Sequence, residues 1–285
     1  WNSIDLIWRI LIGMIIGALI GILAPANLEI IREGAFRGCT GITELTLPEN
    51  IKRIESTAFY GMNEVTELTI PDSAEYIGTD LFGNDSKMQK ITLPFAGESR
   101  DATLENGCNL VSTIGYSSSN REMPLTEITF TGGTIVPNGY FHYFENLKTV
   151  NFADTMTELG NNLFYATGAY YGFQNAALES IILPDSIISI GNDTFRNCPN
   201  LANITFSENL REIGERAFTD TAWLNAQTAK GFINAGNVVI GYNGDYKESL
   251  TIPEGTIGIG AKAFQSGTFS TVTLPDGLLY IGRVA

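Results

Sequence analysis

Three cysteines (Cys39, Cys108 and Cys198) and a single histidine, His142, are the residues of this chain best suited to nucleophilic, redox or metal chemistry. Their numbers and spacing oppose it. An odd count of widely separated thiols builds neither a disulfide framework nor a CxxC metal pair. With one imidazole in the chain, a His-centred triad or a His-rich metal site has one candidate member. No Gly-rich phosphate loop, EF-hand or HExxH segment occurs. Acids are plentiful, 31 Asp and Glu against 17 Lys and Arg, but they are not clustered within motifs. The resulting net charge of −14 repels phosphate backbones and disfavours nucleic acid as a partner. These counts point away from an enzyme. The residue types that recur in order are Thr and Glu, which suit binding.

The elements that position them follow from a repeat. ITELTLP (42–48), VTELTIP (65–71), MQKITLP (88–94) and STVTLP (270–275) share one ending, and Pro48, Pro71 and Pro94 are spaced by 23 residues. Phe36, Phe59 and Phe82 keep the same spacing. Ala-Phe recurs at Ala35-Phe36, Ala58-Phe59, Ala217-Phe218 and Ala263-Phe264, and Phe141, Phe164 and Phe195 hold the same place. Three residues later come Cys39, Met62, Phe144 and Cys198. In L-x-x-I-x-L-P the last two apolar residues are two apart, as in a strand with one buried face. Proline ends the strand because it has no N–H for the ladder. One coil of about 23 residues cannot bury its own apolar positions, whereas stacked coils can. The expectation is a mainly β solenoid of stacked parallel strands with short helical turns. Cys39 and Cys198 then read as small buried apolar residues.

The residues between the buried strand positions face outward in two columns. One begins Thr46, Thr69, Thr92, Thr129; the other begins Glu44, Glu67, Lys90, Glu127. Threonine suits a half-exposed strand for its β-propensity alone. As a site, the pair of columns makes a flat polar surface whose acidic members favour a basic partner. A second candidate is an eight-residue insertion within 160–177, carrying Tyr165, Tyr170 and Tyr171, because tyrosine offers large contact area with few rotors. Folding of these rings back onto the solenoid wall is the equal alternative.

This consensus resembles the BspA-like (Treponema pallidum-type) leucine-rich repeats of bacterial surface proteins. The resemblance covers 28–285, with irregular stretches at 95–124, 160–177 and 221–246. It implies a leucine-rich-repeat solenoid, a cell-surface or secreted location, and binding to proteins, matrix or other cells, with no catalytic residue and no cofactor. The chain stops one residue short of the next expected Phe, so a C-terminus truncated in mid-repeat is expected.

Residues 1–27 read as one apolar α-helix. Ile10–Ala24 carries no charge, and the segment from residue 4 to residue 24 is long enough to enter a bilayer. Three readings stay open: a signal peptide with Ala24-Pro25-Ala26 as its cleavage pattern, a retained membrane anchor, and a fragment similar to the first membrane helix of sodium:dicarboxylate symporters. Under the last, the repeats would form an extracellular domain of a transporter.

Overall fold

The computed structural model describes residues 21–23 (backbone only), 25–83, 86–106, 109–115, 124–164, 175, 177–245, 249–265 and 267–285. Ten short strands repeat along the chain: Gly21–Leu23, Glu44–Thr46, Glu67–Thr69, Lys90–Leu93, Glu127–Phe130, Thr149–Asn151, Ser180–Ile182, Asn203–Thr205, Ser249–Thr251 and Thr271–Thr273. They form the first sheet, paired in four parallel runs. The regular strands read exposed–buried–exposed, as in Glu44–Thr46 and Glu67–Thr69, so the two-residue alternation in the sequence sets the face that each side chain takes.

The coils are closed on the opposite side by a second ladder, which the sequence pattern does not announce. Its strands are two residues long: Ile30–Ile31, Arg53–Ile54, Tyr76–Ile77, Ile135–Val136, Glu158–Leu159, Ser189–Ile190, Glu212–Ile213, Gly258–Ile259 and Tyr280–Ile281. They too pair in parallel, as Glu158↔Ser189 and Ser189↔Glu212 show. Glycine follows the buried residue in Ile77-Gly78, Leu159-Gly160, Ile190-Gly191, Ile213-Gly214, Ile259-Gly260 and Ile281-Gly282. A Cβ on Gly191 would lie 2.7 Å from the Asn161 backbone nitrogen, and one on Gly214 2.4 Å from that of Asn192. Only glycine permits so close an approach between coils.

Between ladder and sheet runs a row of phenylalanines. Phe36, Phe59 and Phe82 stack at 6.0 and 5.5 Å between ring centroids. Phe141, Phe164, Phe195 and Phe218 stack at 4.9, 5.8 and 5.6 Å. The residue two before each of these rings, and before Phe264, has a left-handed backbone: Gly34, Thr57, Asp80, Gly139, Asn162, Asp193, Arg216 and Lys262 have φ between 52° and 66°. That bend turns the chain out of the second ladder and drops the next side chains into the core. For Thr57, whose branched Cβ disfavours it, the stacked neighbours impose the conformation.

The two longer irregular stretches resolve differently. In 95–124, helix α1 (Leu110–Ile114) sits at the level of a phenylalanine turn. In 221–246, helix α2 (Ala222–Asn225) is followed by an antiparallel hairpin of Phe232–Ala235 and Val238–Tyr242. The core also divides there. One cluster of buried residues runs from Ile31 to Val238, and a smaller one contains Val239, Leu250, Ile252, Ile259 and Ala263.

The expectation of an apolar helix over 1–27 needs correcting at its end. Gly21–Leu23 is a strand, paired in register with Glu44–Thr46. The backbone of these residues therefore belongs to the sheet, because pairing with the next coil overrides their apolar, helix-compatible composition. Residues 25–27 are likewise described and not helical, and the rest of the expected helix, 1–20 and Ala24, lies outside the described residues. Among the described residues no helix is long and apolar enough to cross a membrane.

Candidate binding surfaces

The first sheet brings together eight of the residues singled out from the sequence. Glu67, Lys90, Glu127 and Thr149 are register partners, as are Thr69, Thr92, Thr129 and Asn151. Glu44 and Thr46 occupy the same places one coil earlier. The Asn151 amide donates to the Thr129 hydroxyl at 2.9 Å, continuing the polar row. The electrostatics qualify the expectation that the acids of this column favour a basic partner. The Lys90 ammonium lies 3.6 Å from the Glu127 carboxylate and 4.0 Å from that of Glu67. Both acids are thus shared with a cation, and the stretch from Glu67 to Glu127 is a charge-alternating stripe. Side chains this exposed gain little from such pairs. One apolar residue interrupts the threonine column, Ile182, with 68% of its surface exposed. Tyr165, Tyr170 and Tyr171 of the insertion lie outside the described residues.

The second ladder carries a polar constellation that the outward columns did not reveal. The Asn138 side-chain oxygen accepts from the Asn161 backbone N–H at 2.7 Å. Asn161 accepts in the same way from Asn192, and Asn192 from Glu215, each at 2.7 Å. Each side chain satisfies a backbone donor of the following coil, which the two-residue strands are too short to pair. The signal available in the sequence was the recurrence of Ile-Gly or Leu-Gly followed by Asn.

Beside this asparagine row lies an ion network. Asp193 is buried and receives two hydrogen bonds from the Arg216 guanidinium, at 2.9 Å each, and one from Arg196 at 3.2 Å. Arg216 also donates to Glu215 at 2.8 Å, and Lys262 reaches the same Glu215 oxygen at 2.8 Å. Burial pushes the Asp193 carboxyl pKa up, but the two guanidiniums outweigh it and hold the value below the ordinary one. The bond from Lys262 holds Glu215 low. Burial, reinforced by the charge of Glu212, raises Tyr280. All of these groups except Arg196 line a groove of about 1020 Å³ along the second ladder.

The residues with reactive side chains take structural places. Cys198 is fully buried and Cys39 packs against the core. Burial raises both thiol pKa values, which keeps them protonated and unreactive. Cys108 lies outside the described residues. The His142 Nε2 is 2.7 Å from the Asn162 carbonyl and ties one turn to the next. Among the described residues no group of three His, Cys, Asp or Glu side chains is placed to hold a metal ion.

A stacked parallel sheet, a facing ladder of two-residue strands and a phenylalanine row define a leucine-rich-repeat solenoid. Its sequence matches the family described as BspA type leucine rich repeat region over residues 18–124, 112–170 and 169–285. The chain belongs to that family. It is similar to a leucine-rich repeat protein from Bacteroides ovatus, at 21% identity over 90% of this chain and 67% of that one, with a TM-score of 0.45. It is also similar to the T. pallidum leucine-rich repeat protein, at 17% identity over 68% of this chain and 72% of that one, TM-score 0.37. A leucine rich cell surface protein of Faecalibacterium prausnitzii matches at 21% identity over 81% of this chain and 61% of that one, TM-score 0.30. No curated protein matches. The resemblance of the first residues to a symporter helix finds no support. The family match begins at residue 18, inside the apolar run, and Gly21–Leu23 is already a strand of the solenoid.

Proposed function

We propose that this chain is a non-catalytic binding module, displayed at the cell surface or secreted, that holds a protein or matrix partner on the outer face of the first sheet. The observation that carries the reading is the in-register polar face itself. Glu67, Lys90 and Glu127 alternate in charge beside Thr69, Thr92 and Thr129, on strands that neighbouring coils keep rigid. A rigid, extended polar face loses little conformational entropy on binding, and solenoids use such faces for large partners. The pairing of Lys90 with both acids favours a partner with charges of both signs over a purely basic one. The family resemblance supports the surface setting.

The test is capture of partners from extracellular matrix or cell lysate by the full chain, compared with a Glu44→Lys, Glu67→Lys, Glu127→Lys variant and a Thr69→Lys, Thr129→Lys variant. The reading expects at least one captured protein whose affinity falls about tenfold, or about 1.4 kcal/mol, in both variants. Partners retained equally by all three proteins would move the binding surface elsewhere.

A further inference from the structure

Among the described residues the train of coils is broken once on its turn side. In six coils the N–H of the row phenylalanine donates along the solenoid to a carbonyl of the next coil. Phe36 donates to Ala58, Phe59 to Leu81, Phe82 to Ile114, Phe141 to Leu163, Phe164 to Thr194 and Phe195 to Ala217, at 2.8 to 3.3 Å. Phe218 is next in line. It is 2% exposed, yet its N–H meets no acceptor among the described residues. One period beyond it stands Gly241, inside the hairpin, and only the second period reaches Phe264. The hairpin supplies the ladder position, since Gly260 N–H donates to the Val239 carbonyl at 2.8 Å, and then leaves without forming a turn.

The place of the missing turn is a cavity of about 390 Å³. Ala217, Phe218, Leu224 and Ile240 give it apolar walls, and the partly exposed Glu215 and Lys262 also line it. This volume falls within the range of ligand sites, and apolar walls with a few convergent polar groups are their usual make-up. The charge around it is inverted relative to the rest of the chain. Of the charged residues that line it, Glu215, Arg216 and Lys262, two are cations and one is an anion, in a chain of net charge −14. A buried N–H without an acceptor is rare in folded proteins and asks for a partner.

We infer that this cavity is a peptide-binding site for a short acidic segment. The segment sets a main-chain carbonyl on the Phe218 N–H, an apolar side chain against Leu224 and Ile240, and a carboxylate near Lys262. It thereby completes the missing turn from outside. The site lies on the turn side of the solenoid and does not depend on the partner assigned to the first sheet.

A probe can be copied from the chain itself. Residues 215–220 already dock in this manner on the preceding coil, with their Glu215, Ala217 and Thr219 carbonyls accepting from Asp193, Phe195 and Asn197. An N-acetylated hexapeptide of this sequence, with a free carboxylate, is titrated into the full chain by calorimetry and by amide NMR. The expected result is saturable one-to-one binding, with the largest amide shift at Phe218. Lys262→Glu should weaken it about tenfold or more, and Ile240→Trp, which fills the cavity, should abolish it with the circular dichroism spectrum unchanged. If Ile240→Trp does not fold, Leu224→Phe serves as the filling variant. Absence of saturation at millimolar peptide, equal binding of a scrambled hexapeptide, or undiminished binding by the filled variant would overturn the proposal.

Discussion

The stretches 95–124 and 221–246 both interrupt the regular coil, and the solenoid absorbs them differently. In the first, α1 stands in for a turn. A helix leaves its last carbonyls without intrahelical partners, and here the preceding coil uses them. Asp80, Leu81 and Phe82 donate to Ser112, Thr113 and Ile114 at 2.7, 3.0 and 2.9 Å. The hydrogen-bond train passes through the insertion, and the core on both sides is one cluster. In the second stretch α2 lies to the side, where Trp223 packs against Phe206 and Phe218. No helix end is presented to the Phe218 turn. The ladder is patched by Val238–Tyr242, but the turn row is not, and the core splits into a large and a small cluster. An inserted segment of a solenoid is therefore harmless when it returns carbonyls at turn level, and leaves a gap when it does not.

Truncating a ring on either side of this contrast gives the largest effect. Phe82 is fully buried and stacked on Phe59, so Phe82→Ala should cost about 3 to 5 kcal/mol. Phe264 belongs to the small cluster and is only partly buried, so Phe264→Ala should cost about half as much, for less apolar area is lost. Urea unfolding monitored by circular dichroism checks both. Equal losses would remove the distinction between the two cores. Asp193 anchors the ion network next to the gap, and Asp193→Asn should cost about 2 kcal/mol at neutral pH. Its folded pKa is lowered, so this contribution is complete above the ordinary value of 3.8 and is lost as pH falls through the lower folded value. Wild-type and variant stabilities should converge as pH falls below 3.8, and a difference that does not shrink with acidification would contradict the ionic origin.

Smaller effects sharpen the same contrast. The Asn109 side chain accepts from the Ser112 N–H at 2.8 Å as the N-cap of α1, so Asn109→Ala should cost about 1 kcal/mol. Because α1 also serves the preceding coil, amide exchange at Phe82 should quicken with it. Thr221→Ala removes the N-cap of α2 and should leave Phe82 exchange unchanged. On the first sheet, Lys90→Glu would place three acids in register and should cost about 0.5 to 1 kcal/mol at low salt, with most of the loss recovered in 1 M salt.

The parts legible in the sequence are those where one residue type answers one physical demand. Proline at 48, 71 and 94 ends strands, and Phe36, Phe59 and Phe82 fill the core, so strand, register and row follow directly. The second ladder escaped because two residues are too few for an alternation to show; its trace was Ile-Gly. The left-handed position escaped because Thr57, Asp80, Asn162, Arg216 and Lys262 share no side-chain chemistry, and the demand is on the backbone alone. At the front end, an apolar composition suited to a helix contains a strand at Gly21–Leu23 because the coil at Glu44–Thr46 offers it a partner. Of the candidate site, the Glu and Thr columns were visible. The sharing of Lys90 between two acids and the cavity at Phe218 depend on neighbours that only folding supplies.

Amide hydrogen exchange of the unliganded chain, read at the row phenylalanines, tests the account most directly. Phe82 and Phe195 N–H groups donate across the coils, and their exchange should be slow, at the level of the solenoid core. Phe218, 2% exposed and lining the cavity, has no acceptor for its N–H among the described residues, so that group should exchange at least about a hundredfold faster, since no hydrogen bond has to open first. Equal protection at Phe82 and Phe218 would mean that the turn row is unbroken, and would contradict both the gap and the contrast drawn between the two interruptions.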